Sequence, residues 1–182
     1  MRNLRLDICY DGTRYRGFQR LPGKDDTIQG KLETALSRIL GEPIEISGSG
    51  RTDAGVHAEG QVVNFHCESA MKAEDILMDL RRYLPEDIGV LSCKEVSPRF
   101  HARLNAKEKT YRYRIWNSEK PCVFQRRYVT VMEDRLDLAA MVFSQWKLAT
   151  CPLAWTPASV RPLPLISMVS PRIRDNVVSI LP

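Results

Sequence analysis

Apolar and polar positions alternate at the start of the chain, with Leu4, Leu6, Ile8 and Tyr10 set against Arg5, Asp7 and Cys9. A period of two predicts a strand with one buried face, and Asp11-Gly12 supplies the turn that ends it. The period then lengthens. Ile28, Leu32, Ala35, Leu36, Ile39 and Leu40 share one helical face, opened by a capping-box pattern at Asp26-Thr27-Ile28-Gln29 and stopped by Gly41 and Pro43. Ile44 and Ile46 predict a short strand, and residues 61–66 a longer one. Ala73, Ile76, Leu77, Leu80, Tyr83 and Leu84 predict a second amphipathic helix ended by Pro85, followed by a strand over residues 88–93. Residues 3–96 thus run strand, helix, strand, strand, helix, strand. That is the order of an α+β, ferredoxin-like split βαβ unit.

A chain of 182 residues accommodates one complete unit of this kind plus an extra piece. Its net charge of +5 favours a polyanionic partner without naming one. Five scattered cysteines, with no Cys-x-x-Cys pair, suggest neither a disulfide framework nor a zinc site. No cleavable leader and no apolar run long enough for a bilayer are visible, so a soluble, cytoplasmic chain is expected.

The candidate chemistry lies between the second and third strands, in Gly48-Ser49-Gly50-Arg51-Thr52-Asp53-Ala54-Gly55-Val56-His57-Ala58. Three glycines allow a tight turn and the close approach of a ligand. If the stretch is extended, Arg51 and Asp53 share a face, and a fixed cation keeps a neighbouring carboxylate ionised. The alternative is a hairpin loop in which Asp53 bonds its own backbone and Arg51 is solvated. A hydrolase built on Asp53 and His57 would need them on one helix face, which Ala54-Gly55 opposes.

Two other segments mix aromatic and basic residues. In Tyr10-Asp11-Gly12-Thr13-Arg14-Tyr15-Arg16-Gly17-Phe18-Gln19 the mixture suits stacking on bases and neutralising phosphates, or else Tyr15 and Phe18 cap the core. Further on, Lys107, Lys109, Arg112 and Arg114 surround Tyr111 and Tyr113. In a strand Tyr111, Tyr113 and Ile115 share a face that can meet a flipped base, with Tyr113 assigned to the core. Arg103, in Phe100-His101-Ala102-Arg103, bonds loop carbonyls, contacts phosphate or supports the site. With Arg20, Lys24, Arg81 and Arg82, the basic residues Arg14, Arg16, Lys107, Lys109, Arg112 and Arg114 would give salt-dependent attachment to a polyanion.

Gly50-Arg51-Thr52-Asp53-Ala54-Gly55-Val56-His57 resembles, residue for residue, the signature of the tRNA pseudouridine synthase A family. The Tyr10-Asp11-Gly12…Tyr15…Gly17-Phe18-Gln19, Phe100–Arg103 and Lys109-Thr110-Tyr111-Arg112-Tyr113 segments resemble that family in the same order. The resemblance implies the pseudouridine synthase fold and the isomerisation of uridine to pseudouridine in the anticodon stem-loop of tRNA, at uridines 38 to 40. It also implies a homodimer with RNA crossing both subunits. The reaction has no redox change, so no cofactor and no metal are expected. Asp53 is the expected catalytic carboxylate, as nucleophile or as base. Arg51 would fill the space left by the extruded base or grip a phosphate, with Thr52 and Arg103 also on the substrate. Tyr111 would stack on the uracil, and His57 would orient the loop or touch RNA backbone.

The resemblance covers roughly the first 146 residues. Expected units are 1–105 with the active-site loop, 106–146 opening a second synthase half, and 147–182 as an aberrant tail. Those last residues hold no glycine, six of the eleven prolines and only five charged residues, with no persistent period, and an irregular conformation is expected. The family's Gly-x-x-Phe-Leu-x-x-Met-Val-Arg segment, whose arginine pairs with the catalytic aspartate, has no counterpart; Met168-Val169-Ser170 lacks the flanking residues. A shifted frame or alternative exon joining near Gln145 would explain the break, and would leave an impaired RNA-binding remnant.

Overall fold

In the computed structural model, the described residues are 1–23, 26–107, 109, 112–137 and the backbone of 177–180. The chain divides into two compact units, Met1–Lys107 and Glu108–Pro182.

The first unit contains β1 (Arg2–Tyr10), α1 (Ile28–Leu40), β2 (Ile46–Gly48), β3 (Ala58–Cys67), α2 (Ala73–Tyr83) and β4 (Ile88–Val96). All three strand pairings are antiparallel and the sheet order is β2-β3-β1-β4. This is the βαββαβ arrangement that the change of period predicts. The alternation of β1 explains its central place: Leu4, Leu6 and Ile8 are fully buried, and lie opposite Phe65, Val63 and Gln61 of β3. They pack with Ile28, Leu32 and Leu36 of α1 and Ile76 and Leu80 of α2 in one core. Burial of each such side chain contributes about 1.5–3 kcal/mol.

Several local details differ from the sequence pattern. The strands at 44–46 and 61–66 are shifted or longer, and Ile44 is buried ahead of β2 rather than within it. The β4 strand continues to Val96 and is bulged opposite Asp7 and Ile8, which leaves Leu91 as the extra, exposed residue. Only half of the capping box forms. Thr27 Oγ1 accepts from the Gly30 amide at 3.2 Å, but Gly30 occupies the position that would need a Glu or Gln to reach back. Gln29 instead donates to Glu33 Oε1 at 2.9 Å and to the Ile46 carbonyl at 3.3 Å. Helix α1 closes on Gly41 at φ +72, and α2 gives way to an extended Leu84 because the following Pro85 disfavours a helical residue. Tyr83, counted on the apolar face of α2, is exposed and carries the Arg38 guanidinium 4.9 Å from its ring centre.

Asp7 offers a pH test of this unit. Burial raises its carboxyl, but the Ser92 hydroxyl at 2.6 Å and the Arg5 guanidinium at 2.7 Å outweigh that and hold it below the ordinary aspartate value. A depressed pKa contributes stability that is fully present above the unfolded value, about 4, and is lost as pH falls through the folded value. Asp7→Asn is therefore expected to flatten the fall in unfolding free energy below pH ~4, read from urea titrations at several pH values. An unchanged acid limb would refute the linkage.

The second unit contains β5 (Tyr113–Trp116), β6 (Thr130–Val131) and β7 (Val177–Ile180) in the order β6-β5-β7. β6 is parallel and β7 antiparallel to β5. Within the tail, Val177–Ile180 pair with β5 through backbone, a ladder that the tail's own period does not announce. Tyr113, assigned to the core from its place in the strand, is 44% exposed. Asp134 followed by Leu136, Ala139, Ala140 and Phe143 has the pattern of a capped third helix, but residues 134–137 are not helical and residues 138–146 lie outside the described residues. Among the described residues, no helix is long and apolar enough to cross a membrane.

Candidate active site

Two loops meet at the end of the β1-β3 ladder. The first leaves β1 at Asp11, makes one turn of 3-10 helix over Gly12–Arg14, and reaches Phe18; the second runs from Gly48 to Ala58 and carries Asp53. They are joined through backbone, with the Phe18 amide donating to the Thr52 carbonyl at 3.0 Å and the Gly55 amide to the Tyr15 carbonyl at 3.2 Å. The close approach depends on glycines of the first loop. A Cβ on Gly12 would stand 2.0 Å from the Val56 carbonyl oxygen, and one on Gly17, at φ +102, would stand 2.7 Å from that of Thr52.

The glycines of the Asp53 loop have more particular uses than ligand approach. A Cβ on Gly48 would meet the Phe18 ring at 2.7 Å, so that space belongs to the core aromatic. Gly55, at φ +78, takes the third position of a turn in which the Val56 amide donates to the Asp53 carbonyl at 3.2 Å. Asp53 therefore commits its carbonyl to the turn. Among the described residues its carboxylate makes no hydrogen bond or ion pair, and the side chain is exposed.

The pairing of Arg51 with Asp53 is not formed: the two are absent from each other's ion-pair distance, and Arg51 projects into solvent. The loop is not the regular extended strand that would align their side chains. Thr52 is turned the other way, its hydroxyl 2.8 Å from the buried Tyr10 phenol. Tyr10 donates to Gln61 Oε1 at 2.7 Å, and Gln61 Nε2 donates to the Gly50 carbonyl at 2.9 Å. His57 Nδ1 accepts from the Gly12 amide at 3.1 Å and lies 3.0 Å from Asp11 Oδ1, so the imidazole joins the two loops.

The aromatic residues of the first loop are not available for stacking. Tyr15 and Phe18 are buried, and Phe18 packs obliquely on Tyr10 with ring centres 6.4 Å apart. Its arginines face outward but are partnered. Arg14 holds Asp87 at 2.8 Å, while the Tyr15 hydroxyl donates to the other oxygen of that carboxylate, and Arg16 holds Asp26 at 2.7 Å. Burial, then the hydrogen bond to Asp87, pushes the Tyr15 phenol upward, so it stays a donor. Arg20 is held by the buried Glu33 at 3.1 Å and Arg81 by the Val90 carbonyl at 3.2 Å. Lys109 and Arg112 are exposed in the second unit, whereas Lys24 and Tyr111 lie outside the described residues.

Arg103 occupies a turn laid on the helix-free face of the sheet. Asn64 Oδ1 accepts from the Ala102 amide at 2.8 Å, Asn64 Nδ2 donates to Asn3 Oδ1 at 3.0 Å, and Asn3 Nδ2 donates to the Ser97 and Phe100 carbonyls. Both asparagines are almost fully buried and satisfied by this network. Among the described residues the Arg103 guanidinium bonds no loop carbonyl, while its amide donates to His101 Nδ1 at 3.2 Å. Sequence reasoning missed Asn3, Gln61, Asn64 and Asp87 as supports. A signal existed for Gln61 and Asn64 alone, as amides at inward and outward positions flanking the apolar Val62, Val63 and Phe65.

Among the described residues, no group of His, Cys, Asp and Glu is arranged to hold a metal ion. A family model described as tRNA pseudouridine synthase matches residues 8–105, which contain both loops and the Arg103 turn. The chain is 50% identical over 142 residues to a tRNA pseudouridine synthase A of Bacillus sp. (strain KSM-64), covering 78% of this chain and 58% of that protein. It is 46% identical over 141 residues to a tRNA pseudouridine synthase A 2 of Bacillus cereus (strain ZK / E33L), and 48% identical over 141 residues to a tRNA pseudouridine synthase A 1 of Clostridium tetani (strain Massachusetts / E88). In each case it spans 58% of the relative's length. With more than half of its residues inside the family match and the βαββαβ unit beneath it, the chain belongs to the tRNA pseudouridine synthase family.

Proposed function

We propose that the chain isomerises uridine to pseudouridine in tRNA, with Asp53 as the catalytic carboxylate. The observation that carries this is the uncommitted, exposed Asp53 side chain on a loop whose backbone is anchored on both sides. The reaction breaks the bond from uracil N1 to ribose C1′, turns the base and rejoins it through C5, with the C5 proton passing to a base. Asp53 supplies the carboxylate beside ribose and uracil, either attacking the nucleotide or taking a proton from the sugar. Arg51, next to it and free of partners among the described residues, holds a phosphate or the space left by the extruded base. Thr52 and His57 act from the loop's inner side, and Arg103 reaches RNA from the sheet face. Tyr111 stacks on the uracil by resemblance to the family. The anticodon stem-loop, uridines 38 to 40, a homodimer and a cytoplasmic location enter on the same footing.

The test is to incubate the chain with uridine-containing anticodon stem-loop RNA and map pseudouridine in the product. A second reading, RNA binding without turnover, is favoured by the match extending over only 58% of the relatives' length. It predicts complexes at low salt with no isomerised uridine. Under either reading, the logarithm of the binding constant falls linearly with the logarithm of salt concentration. Arg16→Ala is expected to reduce that slope by roughly 0.7–0.9, the contribution of one phosphate contact, provided that Arg16 exchanges Asp26 for RNA. An unchanged slope would remove Arg16 from the interface.

A further inference from the structure

We infer, resting on the assignment of Asp53 above, that Tyr10 and Gln61 are positioning residues whose hydrogen-bond chain sets the backbone on both sides of Arg51 and so aims Asp53. The chain has one direction. The Tyr10 phenol has a single proton, which goes to Gln61 Oε1 at 2.7 Å, so the Thr52 hydroxyl donates to the phenol oxygen across 2.8 Å. The Gln61 amide then uses its own N–H on the Gly50 carbonyl at 2.9 Å. One buried pair therefore holds the residue before Arg51 by its carbonyl and the residue after it by its hydroxyl.

Three observations give this pair a role beyond core packing. Tyr10 is 5% and Gln61 8% exposed, so neither has water available as a substitute partner. Both sit at the loop end of the ladder, where the β1-β3 register shifts between Ile8 and Tyr10 and Tyr10 pairs with Ala58, the residue at which the Asp53 loop rejoins the strand. The Thr52 carbonyl is also fixed, by the Phe18 amide at 3.0 Å, so the hydroxyl bond selects the orientation of a residue already held by its backbone. Removing the phenol oxygen frees the Thr52 side chain and orphans one acceptor, without touching the ring that packs on Phe18.

The test is amide hydrogen exchange on the full chain. In Tyr10→Phe, exchange at Phe18 and Val56, whose amides are bonded to Thr52 and Asp53, is expected to accelerate about tenfold, the factor that accompanies one lost buried hydrogen bond. Exchange at Leu36 in the middle of α1 should stay at the wild-type rate. Thr52→Val should reproduce the local change and Thr52→Ser, which keeps the hydroxyl, should restore protection; this pair decides the matter if Tyr10→Phe fails to fold. Loop rates within about twofold of wild type, or the same acceleration in loop and helix, would overturn the positioning role. Where the chain turns over RNA, Tyr10→Phe should lower kcat at unchanged KM, and equal loss in both would also overturn it. If the wild-type chain forms no pseudouridine while the loop alone loosens, the bracing stands and the assigned reaction falls.

Discussion

Asp53→Asn is expected to lower the rate of pseudouridine formation by at least about 10²-fold, and as far as 10⁴-fold if the carboxylate acts only as a base. Affinity for RNA should not fall. The variant removes a negative charge from the surface proposed to meet phosphates, so binding at a given salt concentration stays the same or tightens. Stability should also be preserved, within about 0.5 kcal/mol, because the side chain is exposed and makes no hydrogen bond or ion pair among the described residues. These three outcomes separate chemistry from architecture. Single-turnover kinetics on anticodon stem-loop RNA, a binding titration and a thermal melt measure them independently. Full activity in Asp53→Asn would refute the assigned role, and a collapse of the melt would mean that the side chain supports the loop.

The largest expected effect on folding comes from a residue of the neighbouring loop. Gly12→Ala places a Cβ 2.0 Å from the Val56 carbonyl oxygen, a backbone atom that moves only if the Asp53 loop moves. Overpacking of this kind costs about 1–3 kcal/mol, and the cheapest relief is to push the two loops apart. Gly55→Ala is the comparison. Its Cβ would meet nothing within 4 Å, so the cost is limited to the left-handed backbone at φ +78, about 1–2 kcal/mol. Urea unfolding should therefore rank wild type above Gly55→Ala and Gly55→Ala above Gly12→Ala. In Gly12→Ala, the Gly55 amide that donates to Tyr15 should lose protection even below the unfolding transition. An equal or inverse ranking would show that the loops are not in this contact.

The two predictions rest on a division of labour within one short stretch. Asp53 and Arg51 keep their charged ends out of the structure, while Gly48, Gly50, Thr52, Gly55 and His57 spend backbone or side-chain groups on the first loop, the buried pair and the turn. Such a loop is stiff at its base and open at its tip, which suits a site that must receive a bulky nucleotide without rearranging first. The arginines of the first loop follow a different logic. Arg14 and Arg16 are exposed yet ion-paired, and exposed pairs are worth only about 0.2–1 kcal/mol, so a phosphate can replace Asp87 or Asp26 at small cost.

Sequence alone determined the order of elements in the first unit, because local periodicity is a direct consequence of which face is buried: β1, α1 and α2 follow from Leu4 to Tyr10, Ile28 to Leu40 and Ile76 to Leu80. It also located the Asp53 loop and the family, since an eight-residue run of turn formers, a cation and a carboxylate needs no long-range information to be recognised. Contacts between residues far apart in the chain were not legible. That Tyr10 braces Thr52 and Gln61, that Gly12 and Gly17 admit the Asp53 loop, and which of the two readings of Tyr15 and Phe18 holds each depend on residues far along the chain. The absence of an Arg51 to Asp53 pair is of the same kind: spacing would align the two only in regular extended backbone, and the turn at Gly55 and the anchors on Thr52 removed that regularity. Burial acts through the nearest few neighbours and leaves a period in the sequence, whereas close approach of two loops leaves only an isolated glycine or amide whose purpose the tertiary structure alone decides.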